Sequence, residues 1–271
     1  MLVINHLTKT FGDKLAVGDL SLHIAPGEIC AFIGHNGAGK TTTIKACCGI
    51  LQPDSGEIFI AGKSVANDPI ACKKDLAYIP DNPDLYEFLS GIQYLNFVAD
   101  IFGVSQADRQ SRIHRYADLF DLTSDLAQPV SSYSHGMKQK LAIISALLHE
   151  PKLILMDEPF SGSDLFNRED FYRVMLGLLS DHETVILSTH LLEEVKTFLS
   201  RAVLLRQGRL IGDISQQEME DKQLQYALEL AREYAKQPLQ YTVDEYGNFT
   251  NLTQTEETPA PEETQGQETP A

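Results

Sequence analysis

The chain has 271 residues, of which 43% are hydrophobic and 22% charged, and a formal net charge of -16. That balance suits a folded protein with a large core and speaks against a nucleic-acid-binding surface, which needs a basic stripe. The longest apolar run, Leu141 to Leu148, falls far short of the roughly 20 residues that span a bilayer.

Met1 leads straight into Leu2-Val3-Ile4-Asn5-His6, without the charged n-region of a signal peptide. Cys30, Cys47, Cys48 and Cys72 show no C-x-x-C spacing and read as small core residues in a reducing compartment. Residues 1–26 form a β-rich lead-in, with alternation at Leu20-Ser21-Leu22-His23-Ile24 and a turn at Pro26-Gly27. Ile29 to Ile33 is an apolar run of buried-strand type. It feeds Gly34-His35-Asn36-Gly37-Ala38-Gly39-Lys40-Thr41-Thr42, in which residues 34–41 fit the phosphate-loop pattern G-x-x-x-x-G-K-[ST]. Its glycines let backbone N–H groups converge on phosphate, Lys40 supplies charge for the β- and γ-phosphates, and the Thr41 hydroxyl suits Mg²⁺. Thr41 to Ile50 reads as a helix whose N-terminus faces the loop, with Gly49 near its end. The expected ligand is a nucleoside triphosphate.

A turn at Pro53-Asp54-Ser55-Gly56 precedes the strand Glu57 to Ile60 and a second turn at Ala61-Gly62. Leu76 to Ile79 is a strand that runs into the loop Pro80-Asp81-Asn82-Pro83. From about 84 to 149 the period is helical, marked by Ile92, Leu95, Ala99 and Phe102, then Ile113, Tyr116, Ala117 and Phe120, then a helix starting near His135. The β/α pattern resumes with the strand Leu153 to Met156, a helix over Phe171 to Leu179, the strand Thr184 to Ser188 and a helix over Leu191 to Leu199. A hairpin follows around Gln207-Gly208. The alternation implies an α/β fold with a mostly parallel sheet covered on both faces and a helical insert. Gln216 to Lys236 could form a charged helix and Gln240 to Leu252 a strand pair around Gly247-Asn248. From Thr253 the acidic tail, with Glu256, Glu257, Glu262, Glu263 and Glu268 and no Lys or Arg, reads as disordered.

Asp157 and Glu158 end an apolar strand, where ligands bind in open α/β sheets. The first carboxylate suits Mg²⁺ and the second the activation of water. Tyr133-Ser134-His135-Gly136-Met137-Lys138-Gln139-Lys140-Leu141 opens a helix, and Ser134 with the Gly136 N–H there makes a second anion site.

With that stretch the chain resembles the ATP-binding subunits of ABC transporters, whose signature L-S-G-G-Q is followed by a basic, Gln, basic, Leu run. Ser134, Gly136, Lys138, Gln139, Lys140 and Leu141 keep the pattern, while Tyr133, His135 and Met137 depart from it. The resemblance covers residues 2 to 212. It implies a P-loop NTPase of the ABC ATPase type with an N-terminal antiparallel β subdomain and an inserted helical subdomain at about 84–149. The domain would end at 212, with a short extension over 213–252. Phe11 matches the adenine-stacking aromatic, Val17 lies near the expected ribose contact, and His190 matches the switch histidine at the γ-phosphate. Asp81 stands where the family has a Gln, and could hold Mg²⁺ or water. Ser161-Gly162-Ser163-Asp164 matches the loop that crosses the dimer interface. In such a head-to-tail dimer, of this chain with itself or a homologous subunit, Ser134, His135, Gly136 and Met137 cap the ATP held by the partner. His135 in place of Gly then requires a side chain turned away from the nucleotide. The resemblance further implies ATP and Mg²⁺, hydrolysis by Glu158 and His190, and a separately encoded transmembrane permease. It places the chain in the cytoplasm, peripheral on the inner face of the membrane. The Pro80 to Tyr86 segment and the His-Gly-Met signature resemble exporter subunits. The rival readings are a soluble ABC-type ATPase on a ribosome or DNA partner, and a weakly catalytic member of a heterodimer.

Overall fold

The computed structural model describes residues 1–159, 183–190, 195, 198–220, 241–243 and 249–251. The helix expected over Phe171 to Leu179, most of that over Leu191 to Leu199, residues 221–236 and the acidic tail lie outside them. The chain divides into two compact units, Met1–Gln225 and Tyr226–Ala271.

The first unit holds two sheets. In one, β1 (Leu2–Phe11) pairs antiparallel with β2 (Lys14–Ile24) on one side and with β4 (Ser55–Ile60) on the other, and β5 (Lys63–Ser64) adds the edge. The other sheet contains β3 (Ile29–Ile33), β6 (Leu76–Ile79), β7 (Leu153–Met156), β8 (Thr184–Thr189), β9 (Arg201–Arg206) and β10 (Arg209–Ser215), in the order β10-β9-β3-β8-β7-β6. All its pairings are parallel except β9 with β10. β7 and β8 are buried at every residue, which is why Leu153 to Met156 and Val185 to Leu187 read as continuous apolar runs rather than alternating ones. The pleat still sorts them. Cys30 and Phe32, Leu153 and Leu155, Ile186, Val203 and Leu205 share a cluster with Leu2, Ile4, Leu7 and Ile60 of the antiparallel sheet.

Between the sheets runs α1 (Lys40–Cys47), whose Ile44, Ala46 and Cys47 join the same cluster. It ends three residues short of the expected Ile50, because Gly49 takes the left-handed conformation (φ 66°) and Ile50 N donates back to Lys45 O. The sequence reading assigned no element to α2 (Pro69–Lys74), which is too short for a period but carries Pro in its first turn. β4 begins at Ser55, so half of the expected turn is already strand. Gly56 is required there, since a Cβ would meet His6 O at 2.5 Å.

The helical insert consists of α3 (Gly91–Phe102), α4 (Gln106–Leu119) and α5 (His135–Leu147), with two 3-10 turns before α5. Ser90, Ser105 and Ser134 cap the three helices, Ser90 in a reciprocal box with Gln93. α5 packs on α3, α4 and β6, which seats the insert on the parallel sheet. β10 runs to Ser215 and a one-turn helix, Gln216–Glu220, follows, so the strand pair passes the boundary expected at 212. All four cysteines are free and buried, and burial pushes their thiols up. Among the described residues no helix is long and apolar enough to cross a membrane. The second unit contributes an antiparallel pair, Tyr241–Val243 with Phe249–Asn251, as expected around Gly247-Asn248.

Candidate active site

β3, β6, β7 and β8 are parallel, so the segments that follow them leave the sheet at one edge. The phosphate loop leaves β3, Asp81 follows β6, Asp157 and Glu158 follow β7, and His190 follows β8. Four stretches distant in sequence therefore meet.

Glycine is obligatory twice in the loop. A Cβ on Gly34 would lie 2.3 Å from Leu205 O, and Gly39 adopts φ 101° with Ala16 O at 2.6 Å from its hypothetical Cβ. Thr43 N and Thr43 Oγ1 both donate to Gly39 O at 2.9 Å, which fixes the start of α1. No side chain caps that start, and no acid lies in its first turn. Its N–H groups are thus available to an anion. His35, Asn36, Gly37 and Thr41 are exposed, while Ala38, Gly39 and Lys40 are buried, and Thr42 is half-buried.

Lys40 Nζ donates to Gly34 O (2.6 Å) and His35 O (3.4 Å), and lies 3.1 Å from Glu158 Oε1. The other Glu158 oxygen, Oε2, is 3.0 Å from His190 Nδ1. Asp157 is buried, and its Oδ1 accepts from Thr41 Oγ1 (2.9 Å) and from Ser188 Oγ (2.7 Å). Glu158 has φ 45°, a left-handed conformation rare for a residue with a side chain, and its N–H donates to Ser188 Oγ at 2.8 Å. Asp81 senses the same cluster. Burial first, then the Asp157 and Glu158 carboxylates, push its carboxyl up, and His135 partly offsets them. Among the described residues no three His, Cys, Asp or Glu side chains converge on a metal position. Thr41 and Asp157 offer hard oxygen donors that fit Mg²⁺ if phosphate and water oxygens complete its shell.

At the start of α5, Ser134 Oγ accepts from Met137 N at 3.3 Å. Gly136 is buried and Met137 half-buried, whereas His135 is exposed. Gln139 Nε2 donates to Pro159 O at 3.2 Å, tying this helix to the segment after Glu158. Phe11 is 52% exposed at the β1–β2 turn, with the Lys9 ammonium 5.7 Å from its ring centroid. Val17 is 1% exposed, so its side chain sits in the core, beneath Gly39. Ser161, Gly162, Ser163 and Asp164 lie outside the described residues.

Sequence reasoning gave no role to three residues here. Ser188 stands out only as a hydroxyl near the end of an apolar strand. Gly208 was read as a hairpin turn, yet its N–H donates to Ala38 O (2.9 Å) and its carbonyl accepts from Gly18 N (2.8 Å). Gln139 was noted only for the signature pattern. Each acts through a contact remote in sequence, which spacing cannot show.

A family model described as ABC transporter matches residues 17–161. The chain is 34% identical over 213 residues to the ABC transporter ATP-binding protein YhcH of Bacillus subtilis (strain 168), covering 78% of this chain and 68% of that one. It is 32% identical over 230 residues to YbhF of Escherichia coli (strain K12), named a probable multidrug ABC transporter ATP-binding protein. That match covers 83% of this chain and 40% of YbhF, so the chain spans less than half of that relative. Among solved structures it resembles an ATP binding subunit of an ABC transporter, with TM-score 0.78 and 31% identity over 87% of this chain and 100% of that one. The chain therefore belongs to the ABC transporter family, as an ATP-binding subunit with ATPase activity.

Proposed function

We propose that this chain hydrolyses Mg·ATP to drive a separately encoded permease, from the cytoplasmic face of the membrane and in the direction of export. The observation that carries the reading is the contact chain Lys40–Glu158–His190 (3.1 and 3.0 Å) beside the Thr41–Asp157 hydrogen bond.

The phosphates of ATP lie over the uncapped start of α1, with Lys40 on the β- and γ-phosphates. Thr41 and Asp157 would hold Mg²⁺, which would neutralise phosphate charge. A phosphate oxygen competes with Glu158 for the Lys40 ammonium. That leaves Glu158 Oε1 open to water. Glu158 then takes a proton from water as the water oxygen bonds to the γ-phosphorus, and the bond to the ADP oxygen breaks with its electron pair leaving on ADP. His190 holds the far oxygen of Glu158 and so fixes which oxygen faces the water. Phe11, exposed on its turn, stacks the adenine, whereas Val17, expected near the ribose, has its side chain buried in the core beneath Gly39 and supports the loop instead. Asp81, within the field of both acids, would hold Mg²⁺ or water beside them.

Among the described residues, the helix starts of α1 and α5 suit anions. The second is best explained by a head-to-tail dimer, with itself or a homologous subunit, in which Ser134, His135, Gly136 and Met137 face ATP on the other protomer. The Ser161 to Asp164 loop would line that interface. The permease would dock where Tyr86 packs against Phe88, Tyr94 and Phe97 at centroid distances of 5.8, 6.3 and 5.4 Å. Phe88 is 80% exposed there, beside the Asp81 loop, and such patches mark interaction sites. Export is supported by the signature's likeness to exporter subunits and by the multidrug name of YbhF.

The test is a tagged pull-down from detergent-solubilised membranes of the host. A polytopic membrane protein in near-equal amount is expected. Ribosomes, DNA-binding proteins or no membrane protein would overturn the transport half of the reading and leave the ATPase intact.

A further inference from the structure

We propose that Ser188 is a positioning residue for both acids of the ATPase site, acting through one hydroxyl that donates to Asp157 and accepts from the backbone of Glu158. The proposal rests on the roles given above to Asp157 and Glu158.

A serine hydroxyl has one hydrogen to donate and lone pairs to accept with. Ser188 Oγ lies 2.7 Å from Asp157 Oδ1, a carboxylate acceptor, so its hydrogen goes there, and the Glu158 N–H, at 2.8 Å, fills a lone pair. The residue is fully buried, so water cannot replace either bond. The consequences differ for the two acids. Asp157 Oδ1 also accepts from Thr41. Ser188 therefore keeps that oxygen in place when the Thr41 hydroxyl turns its lone pairs to a cation. Outer partners of this kind orient ligating carboxylates. For Glu158, the bond secures the strained φ of 45°, which aims the side chain at Lys40 on one oxygen and His190 on the other. Ser188 itself hangs from β8, one strand over from the acids and two residues before His190. One hydroxyl thus couples the cation ligand, the base and the histidine segment.

The experiment compares Ser188→Ala and Ser188→Cys with wild type in the full chain. Alanine stays close to serine in volume and removes the hydroxyl, while cysteine keeps a larger, weakly donating group, so a change shared by both belongs to the hydrogen bond rather than to the packing. The decisive readout is the Mg²⁺ concentration at half-effect on binding of a fluorescent ATP analogue, which needs no turnover. We expect it to rise about 10–100-fold in both variants, while binding in EDTA stays within about threefold of wild type and kcat falls about 10–100-fold. A wild-type Mg²⁺ requirement in either folded variant overturns the proposal, whatever kcat does. Glu158→Gln run alongside keeps the outcomes apart. Wild-type turnover in that variant would sink the base assignment and leave the Ser188 result to be judged on Mg²⁺.

Discussion

Lys40 Nζ and Glu158 Oε1 lie 3.1 Å apart although they follow different strands. The sheet explains the meeting. β3, which feeds Lys40, and β7, which feeds Glu158, flank β8, so both residues emerge beside His190 at one edge. Each is largely buried, with 5% and 17% of its side chain exposed, so each is the counter-charge the other needs. A phosphate that takes the lysine therefore acts on the base as well.

Glu158→Gln should keep the shape of the site and lose the proton acceptor. Hydrolysis is expected to fall about 100–10,000-fold while ATP still binds, and an ATP-bound dimer should accumulate. Single-turnover hydrolysis and size-exclusion chromatography with ATP check this. Turnover at the wild-type rate would remove Glu158 from its role.

The sequence made much of this legible, and what it hid has a common cause. Ile29 to Ile33, Leu153 to Met156 and Val185 to Leu187 announce themselves because strands buried on both faces are largely apolar. α3 and α4 show their helical period because one face of each is buried, whereas α5 is buried at nearly every residue from Leu141 to Leu147 and reads there as an apolar run. The phosphate loop is legible because close backbone packing at Gly34 and Gly39 excludes other residues. Ser188, Gly208 and Gln139 were opaque, since each works through a partner brought in by the sheet. Pro69–Lys74 is six residues long, too few for any period to emerge.

Lys40→Ala removes a charged donor to phosphate and strips Glu158 of its cation. Loss of a charge-assisted hydrogen bond of about 1.5–3 kcal/mol corresponds to a fall in ATP affinity of roughly 10–150-fold. Combined with Glu158→Gln, the stability cost should be less than additive, because the neutral amide no longer needs a counter-charge. Equilibrium nucleotide titration and urea melts of the two single variants and the double variant check both statements. Unchanged ATP affinity in Lys40→Ala would overturn the phosphate assignment.

Gly208→Ala tests the hairpin that props the phosphate loop. Gly208 has φ 76°, and a Cβ would meet Ala16 O at 2.6 Å and Val17 Cα at 2.9 Å, all backbone atoms that cannot swing aside. The Gly208 N–H bond to Ala38 O would be displaced with them. The expected cost is about 1–3 kcal/mol of stability, together with weaker ATP binding. A urea midpoint and an ATP affinity both at wild-type values would show that the hairpin does not support the loop.

His149 gives the protein an acid-sensitive joint between the helical insert and the sheet. Its ring stacks on Phe102 at a centroid distance of 3.9 Å, and its Nε2 lies 3.1 Å from Leu76 O. Nε2 therefore holds the hydrogen, and Nδ1 is buried without a partner among the described residues. A second proton would sit on Nδ1 with nothing to receive its hydrogen bond. Burial accordingly holds the imidazole below its usual range, and nearby Arg112 adds to the effect, while the bond to Leu76 and the charge of Asp75 oppose it. The sign follows from linkage. The unfolded chain takes up this proton near pH 6.5, and the folded chain only at lower pH, so stability is lost as pH falls below about 6.5. His149→Ala should lower the melting temperature at pH 7.5 through the lost stack. It should also flatten the decline in melting temperature between pH 7.5 and pH 5.5, since the group that titrates is gone. An unchanged decline in the variant would mean that other groups set the acid limb.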